Sequence, residues 1–205
     1  MIAALFVEPR GVYANLPGVD PWTEERDARL YAGPYRVIAH PPCQRWGRFW
    51  SGGPSARTRR LKGDDGGCFA SALASVRKWG GVLEHPEASS AWKAFGLFSP
   101  PKGGGWISAG DGLGWTCCVE QGHYGHRARK ATWLYAVGCT LPSLRWGRSG
   151  AKVRIDEGFH STEERRETRQ SGGAPLERLS HKQRLATPLK FRDLLLSIVR
   201  QGVVT

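Results

Sequence analysis

The sequence predicts a single α/β domain built on one open sheet, and three observations lead to this prediction. At 205 residues the chain is long enough for one full hydrophobic core, whereas two domains would both be undersized. Short apolar runs at residues 2–7 and 36–39 each end at a turn or at prolines, which is typical of buried strands. An amphipathic helix pattern at 68–79 lies between the second run and a third at 82–83, so these elements form a parallel βαβ unit.

The remaining parts of the first half are predicted mainly as loop. Residues 11–34 contain several prolines and glycines, so we expect loop there with one helical turn at 23–30. Pro41 and Pro42 stop the second strand directly before a cysteine. The ligand-binding edge of an open α/β sheet is the carboxyl edge, and this proline-rich loop should therefore lie there.

The second half predicts short strands and a terminal helix. A short helix at 91–95 precedes a segment rich in glycine and proline at 96–114. Strand-like runs at Trp115–Glu120 and 133–137 flank a basic connection, which is the pattern of a hairpin. Pro188 opens a final helix with one apolar face, most simply a helix packed on the core.

The charge of the chain favours a polyanionic partner. Thirty Lys and Arg against 18 Asp and Glu give a net charge of +12, which favours DNA or another nucleic acid or nucleotide, the alternative being a basic surface that only confers solubility. Residues 147–180 predict a charged, solvated or disordered loop, and residues 51–67 predict a basic loop. The cations of that basic loop are candidate nucleic-acid contacts: Arg57, Arg59, Arg60 and Lys62.

The cysteines indicate a reducing compartment. There are five, an odd number, and no CxxC pair occurs, so neither a disulfide framework nor a zinc signature is present. No run of 18 apolar residues predicts a membrane span, and we expect a cytoplasmic protein without a membrane partner. A metal cluster of His123 and His126 with Cys117 and Cys118 fits no standard spacing, so no metal is expected.

Cys43 is the candidate reactive atom. Two prolines before it stiffen the loop, which suits the aiming of a nucleophile, whereas the other four cysteines are better interpreted as small core residues. The alternative is that Cys43 only packs. Glu84 follows the third strand, so the βαβ unit should bring it to the same sheet edge as Cys43. Trp46 and Trp50 could stack on unpaired bases or could be core residues.

Three segments in order resemble the C5-cytosine DNA methyltransferases. Residues 37–44 (Val-Ile-Ala-His-Pro-Pro-Cys-Gln) resemble the family's Pro-Pro-Cys-Gln motif, and residues 82–86 (Val-Leu-Glu-His-Pro) resemble its Glu-Asn-Val or Glu-Asn-Pro motif. Residues 124–138 are similar to its Tyr-Gly-x-Pro-Gln-x-Arg-x-Arg segment and following strand. A phage-associated, methyltransferase-like branch with a His-Pro-Pro-Cys motif is the closer match. The resemblance implies a compact Rossmann-like domain with a shortened N-terminal half.

The resemblance also implies a chemistry for these residues. Cys43 would attack C6 of a flipped-out or single-stranded cytosine, with its thiolate favoured by nearby Arg or Lys. Glu84 would bind N3 and the exocyclic amine, and one of Arg127, Arg129 or Lys130 would assist the base carbonyl and a phosphate. The implied substrate contacts are His40, Pro42, Gln44, His85 and His126. The methyl donor would be S-adenosylmethionine, with Phe6, Glu8 and Asp20 as the candidate binding residues.

The chain departs from the family at its front end, and this leaves three alternatives. The family has a Phe-x-Gly-x-Gly loop where this chain has Leu-Phe-Val-Glu-Pro-Arg-Gly at residues 5–11. About thirty residues separate the first strand from Cys43, so we expect no acidic ribose-binding strand between them. The alternatives are methyl transfer, the same thiolate chemistry with another one-carbon or modifying donor, and a non-catalytic nucleic-acid-binding module.

Overall fold

The computed structural model describes residues 1–47, 50–51, 60–151, 153, 166 and 179–201. The described residues form a mixed seven-stranded sheet with α-helices on both faces, so the α/β class and the open sheet are confirmed. The strands are β1 (Ile2–Leu5), β2 (Val19–Trp22), β3 (Arg36–Ala39), β4 (Gly81–Pro86), β5 (Ile107–Ser108), β6 (Trp115–Glu120) and β7 (Ala131–Val137). The described α-helices are α1 (Cys68–Trp79), α2 (Ser90–Ala94), α3 (His181–Leu185) and α4 (Leu189–Arg200).

The sheet order is β2-β1-β3-β4-β7-β6-β5. The first four strands pair in parallel, and β7 pairs antiparallel with both β4 and β6. Strand β6 therefore runs in the same direction as β1 to β4, with β7 reversed between them. From β1 the chain first adds β2 on one side and then β3 on the other, so the sheet has a topological switch point between β1 and β3.

Two helices cover opposite faces of the sheet and bury separate cores. Helix α1 packs on β3 and β4 through a face that includes Phe69, Leu73 and Val76. Helix α4 packs on the other face of β1, β3 and β4, where Phe191 and Leu195 are fully buried. The spacing of apolar residues predicted both helices, and α1 spans the expected residues.

The N-terminal half contains one strand more than expected. Strand β2 lies in the segment expected to be loop and pairs in parallel with β1. Pro21 lies within β2, which is tolerated because β2 is an edge strand and needs hydrogen-bond donors on one side only. The helical turn expected at 23–30 is a 3₁₀ turn at Ala28–Leu30. The prediction that residues 11–34 contain only loop and one helical turn was therefore wrong.

Strand β4 is longer than the two residues that the apolar pattern indicated. It continues through Glu84, His85 and Pro86 because β7 pairs antiparallel along its whole length. Glu84 therefore lies within a strand and pairs with Leu134 of β7, which restricts its backbone more than a loop would. The hairpin of β6 and β7 is confirmed.

Two predicted loops fall largely outside the described residues. Of the basic loop 51–67, residues 52–59 are not described, and these include Arg57 and Arg59. Most of the charged segment 147–180 is likewise not described. In the part of the chain that is described, no helix is both long and apolar enough to cross a membrane.

Candidate functional site

The carboxyl edge of the parallel strands brings two predicted residues, His40 and Glu84, together. Leu5 of β1 pairs with Ala39 of β3, and Ala39 pairs with Leu83 of β4. The residues that directly follow these three positions therefore lie side by side. The His40 main-chain N–H donates to the Leu5 carbonyl at 3.1 Å, which fixes the start of the proline-rich loop beside the switch point. His40 and Glu84 each follow these aligned positions, and their side chains meet on the face covered by α4.

Glu84 is held by two hydrogen bonds from side chains. His40 Nδ1 lies 2.9 Å from Oε2, and Gln121 Nε2 donates to Oε1 at 3.1 Å. On its other side, His40 Nε2 lies 2.9 Å from the buried Tyr13 hydroxyl. Nδ1 donates to the carboxylate, and the Tyr13 oxygen accepts from Nε2 when the imidazole is charged and donates to it when the imidazole is neutral. The side chains of His40 and Glu84 are only 13% and 12% exposed.

The electrostatics keep Glu84 ionised. Burial alone would raise its pKa, but the hydrogen bond and charge of His40, together with the charge of Lys130, lower the pKa to about 2. The pKa of Tyr13 is raised, first by burial and then by the negative charge of Glu84. Glu84 is therefore a carboxylate at neutral pH, and Tyr13 is a neutral phenol.

The loop that carries Cys43 is anchored in the core by Trp46. The Cys43 carbonyl accepts hydrogen bonds from the main-chain N–H groups of Trp46 and Gly47 at 3.0 and 2.9 Å. Trp46 Nε1 donates to Asp65 Oδ2 at 2.7 Å, and the indole packs against Phe69. Trp46 is 8% exposed, so the structure favours the core interpretation over base stacking.

Cys43 is not a preformed thiolate. Burial raises the pKa of its thiol, and the charge of Glu84 raises it further, whereas Lys130 lowers it by less. Lys130 favours the thiolate, as expected of a nearby cation, but burial and Glu84 outweigh it in the free protein. Burial likewise lowers the pKa of Lys130, while Glu84 and Cys43 raise it. The three groups lie close enough to act on one another.

Among the three candidate cations, Lys130 alone is directed inward. Arg127 and Arg129 have exposed side chains, whereas Lys130 is half-buried and has a left-handed backbone φ of 43°. Its ammonium donates to the carbonyls of Leu185 and Ala186 at 3.1 and 2.9 Å. The end of α3 therefore holds Lys130 beside the site.

Two predicted substrate contacts lie in the interior. His85 is fully buried on the α1 face between Phe69 and Trp92, and burial lowers its pKa to about 4. The Pro42 carbonyl lies beside the ring and raises that pKa, but neither ring nitrogen makes a hydrogen bond of ordinary geometry. His85 thus supports the Cys43 loop from below and is not available to a substrate.

His126 also has a packing position. Its ring accepts from the Ala128 N–H at 3.0 Å and contacts the Gln183 carbonyl at 3.2 Å, which joins the hairpin connection to α3. Pro42 and Gln44, by contrast, are exposed on the Cys43 loop and remain accessible to a ligand.

The residues proposed to hold S-adenosylmethionine do not fit that cofactor. Phe6 follows β1 with a left-handed φ of 59° and packs partly against the α1-side core, so no glycine-lined approach exists there. Asp20 lies two residues before the end of β2, and its oxygens accept from Arg26 at 2.6 Å and Trp22 at 2.9 Å. Glu8 is exposed at the surface. No step through this methyl donor is derived from these residues.

A metal cluster does not form among the described residues. No group of three or more His, Cys, Asp or Glu side chains is arranged there to hold an ion. Cys117 and Cys118 face opposite cores because they are adjacent in β6, and His123 Nε2 lies 3.1 Å from the Gly147 carbonyl.

Cations lie on the segments that flank the site. The Gly63 N–H donates to the Arg45 carbonyl at 3.0 Å, which brings the exposed Arg60 and Lys62 beside the Cys43 loop. The hairpin connection adds Arg127 and Arg129, and α3 adds the exposed Lys182. We call these six residues, Arg45, Arg60, Lys62, Arg127, Arg129 and Lys182, the basic rim.

Two members of the site were missed by sequence reasoning. Tyr13 lies in the segment expected to be loop, and nothing in its local sequence indicates a contact with His40, 27 residues away. Gln121 could have been found, because it directly follows the predicted strand β6 beside the basic connection. Gln121 holds the Glu84 side chain directly, and Tyr13 holds it through His40.

The assembled edge can bind and polarise a small planar group. It combines a thiol, an ionised carboxylate in a hydrogen-bonded frame, and a cation, all surrounded by basic residues. Comparisons of this chain with family models, with curated proteins and with solved structures find no match.

Proposed function

We propose that this protein is an enzyme that modifies C5 of a pyrimidine base in DNA, other nucleic acid or a nucleotide, beginning with addition of Cys43 to C6. The observation that carries the proposal is the position of Glu84, held by His40 and Gln121 at the carboxyl edge where the Cys43 loop begins, with Lys130 fixed by the end of α3. A Rossmann-like fold of the methyltransferase-like type belongs to the same proposal. Four parallel strands, helices on both faces and a switch point beside the site support it.

The proposed step is an addition across the C5=C6 double bond. The Cys43 thiol loses its proton to solvent, the thiolate forms an S–C6 bond, and the displaced electron pair makes C5 a nucleophile conjugated with the base carbonyl. C5 then takes either a proton from solvent or the group of a donor. Loss of the original C5 proton and breakage of the S–C6 bond release the base and regenerate Cys43.

Glu84 and Lys130 have separate tasks in this step. Glu84 accepts a hydrogen bond from a ring or amine N–H and thereby positions the base. The Lys130 ammonium has three hydrogens, of which two go to the carbonyls of Leu185 and Ala186, so one remains for a base carbonyl oxygen. Negative charge develops on that oxygen during addition, and a fixed cation stabilises it.

Substrate binding also activates the thiol. In the free protein, burial and the charge of Glu84 keep Cys43 protonated. An N–H donor on Glu84 disperses that negative charge, so the pKa of Cys43 falls when the base is present. The enzyme thus avoids an exposed, permanently reactive thiolate.

The basic rim and the net charge of +12 support nucleic acid as the carrier of the base. Because the His40 and Glu84 side chains are largely buried, the base reaches them either flipped out of a duplex or from a single strand. The donor in this proposal is a one-carbon or other modifying reagent different from S-adenosylmethionine, because the residues of the first loop do not fit the latter.

Five free cysteines support a cytoplasmic location.

The test needs no donor, because addition alone exchanges the C5 hydrogen with solvent. We would incubate the protein with a single-stranded oligonucleotide in D₂O and measure deuterium at C5 by mass spectrometry after digestion. Wild type should catalyse exchange, Cys43→Ser should abolish it, and Cys68→Ser, at another half-buried free cysteine, should retain it. Equal exchange by wild type and Cys43→Ser would show the proposed step to be wrong.

A second candidate function is nucleic-acid binding without catalysis. The protonated state of Cys43 in the free protein favours it, since a purely packing cysteine would look the same. In that case oligonucleotide affinity should fall steeply with salt, Cys43→Ser should leave it unchanged, and no exchange should be detected.

A further inference from the structure

Helix α3 is held beside the site through its main chain. The Lys130 ammonium donates to the Leu185 carbonyl at 3.1 Å, and His126 Nε2 lies 3.2 Å from the Gln183 carbonyl. Lys130 in turn lies close enough to Glu84 for their charges to interact. A residue of the site therefore fixes the position of the last turn of α3.

Leu185 carries an exposed apolar side chain at this position. It is the last residue of α3 and is 49% exposed. Single exposed leucines are common on protein surfaces, so exposure alone does not indicate a partner. Leu185 differs in its surroundings, because the exposed Lys182 lies on the same helix and the exposed Arg127 and Arg129 lie on the hairpin connection that α3 contacts. An apolar group among cations suits a partner that has a charged backbone and stacked bases.

The burial of the site indicates what such a group can do. The side chains of His40 and Glu84 are only 13% and 12% exposed, so a base must leave its stack to reach them. In a duplex the departing base leaves a gap, and the lost stacking is costly. Proteins that deform DNA offset such a cost by inserting an apolar side chain between the bases. A leucine fixed beside Lys130 is well placed to fill that gap.

We propose that Leu185 is a wedge that enters a nucleic-acid duplex and fills the gap left by the flipped base, so that this surface takes a base-paired duplex. The inference rests on the proposed function. Lys130 couples the two events, because its ammonium binds the base carbonyl in the proposed step and also holds the Leu185 carbonyl. Leu185 acts on extrusion of the base only, since no bond forms or breaks at it. A base in a single strand needs no extrusion and therefore no wedge.

The experiment compares duplex and single strand in one assay. Random-sequence DNA and RNA are supplied as single strands and annealed to their complements, and deuterium at C5 of the released pyrimidine nucleosides is measured after incubation in D₂O. Leu185→Ala retains the main-chain carbonyl that holds Lys130. It should slow exchange in the duplex by about tenfold or more, which corresponds to loss of a buried leucine side chain. Exchange in the single strand should change by less than about twofold.

Two further variants separate a wedge from a structural role. Leu185→Met keeps a long apolar side chain and should retain most of the exchange in the duplex. Leu113→Ala is the matched control, because Leu113 is 57% exposed in the turn before β6, at the opposite edge of the sheet. It should leave the rates in duplex and single strand unchanged.

Equal rates of wild type and Leu185→Ala in the duplex, or an equal loss in duplex and single strand, would overturn the wedge. A loss in Leu185→Met as large as that in Leu185→Ala would overturn it too. Exchange by wild type in single strands only would also overturn the wedge and would leave the proposed function standing. Failure of wild type to exchange either form above its Cys43→Ser variant would overturn the proposed function itself.

Discussion

Two carboxylates with similarly low pKa values, Asp111 and Glu84, have very different surroundings. Asp111 accepts from Arg77 at 2.8 Å and from the Tyr135 hydroxyl at 2.6 Å, and its other oxygen accepts from the main-chain N–H groups of Leu113 and Gly114. Burial would raise its pKa, but these bonds lower it to about 2. The guanidinium neutralises the charge, and the network ties α1 to the turn before β6.

Glu84 reaches a pKa of about 2 without contacting a guanidinium. Its hydrogen-bond donors are His40 and Gln121. The nearby cation Lys130 donates to main-chain carbonyls of other residues, and the charge of Glu84 raises the pKa of Cys43. A lowered pKa therefore does not by itself identify a site. Asp111 has its acceptors filled and its charge paired, whereas Glu84 is fixed in place with acceptor capacity beside a nucleophile.

The largest difference between the two carboxylates should appear when each is replaced by its amide and C5 exchange is measured. Glu84→Gln should reduce C5 exchange on a pyrimidine-containing oligonucleotide by about 100-fold or more, since it removes the ionised acceptor that orients the base. Asp111→Asn should change exchange by less than about threefold, because Asp111 contacts helix and turn residues only. A large loss in Asp111→Asn with normal folding would contradict this division.

Stability should show the role of Asp111. Its folded pKa of about 2 lies below the ordinary 3.8, so the ionised form stabilises the fold above pH 4 and this contribution disappears as pH falls toward 2. Asp111→Asn should lower the free energy of unfolding by about 2 kcal/mol at pH 7 and by about half of that at pH 3. Urea unfolding at both pH values measures this, with Asp64→Asn on an exposed side chain as the control. A loss that does not depend on pH would rule out the charge as its cause.

The sequence predicted most of the parallel part of the fold and part of the site. Strand β3 and helix α1 have the predicted residues because an apolar run and a 3.6-residue period are local signals. The rule for βαβ units then predicted that Cys43 and Glu84 lie at the same edge of the sheet. Strand β2 could not be predicted, since it is short, lies at an edge and contains Pro21.

The inward residues of the site depended on tertiary structure. Arg127, Arg129 and Lys130 are equivalent in sequence, and the left-handed backbone at Lys130 together with its bonds to the end of α3 decides which one approaches Glu84. Tyr13 reaches His40 only because β2 inserts beside β1 and returns the chain across the sheet. Neither outcome has a local sequence signal.

Lys130 should tune the thiol, with a smaller effect than Glu84. The pKa of Cys43 in the free protein lies above its ordinary value of 9.0, so the exchange rate at subsaturating oligonucleotide should keep rising with pH through neutrality and beyond pH 9. Lys130 lowers that pKa, and Lys130→Met should therefore reduce the rate about tenfold at pH 8 and shift the rise to higher pH. Lys130→Arg, which keeps the charge, should retain the wild-type pH profile. A lower rate with an unchanged profile would mean that Lys130 acts without influencing the thiol.

The smallest effect should come from the basic rim, and it tests whether the position of charge matters beyond the total of +12. Replacing both Arg60 and Lys62 with alanine should weaken single-stranded oligonucleotide binding a few-fold and reduce the slope of log affinity against log salt by about 1.4, because each phosphate contact contributes about 0.7. The matched control replaces Lys78 and Arg200, exposed cations at the opposite end of the sheet, where the same loss of charge should leave the slope within error. Equal slopes in the two double variants would mean that nucleic acid responds to net charge alone, and the rim would then have no part in delivering a base to Cys43.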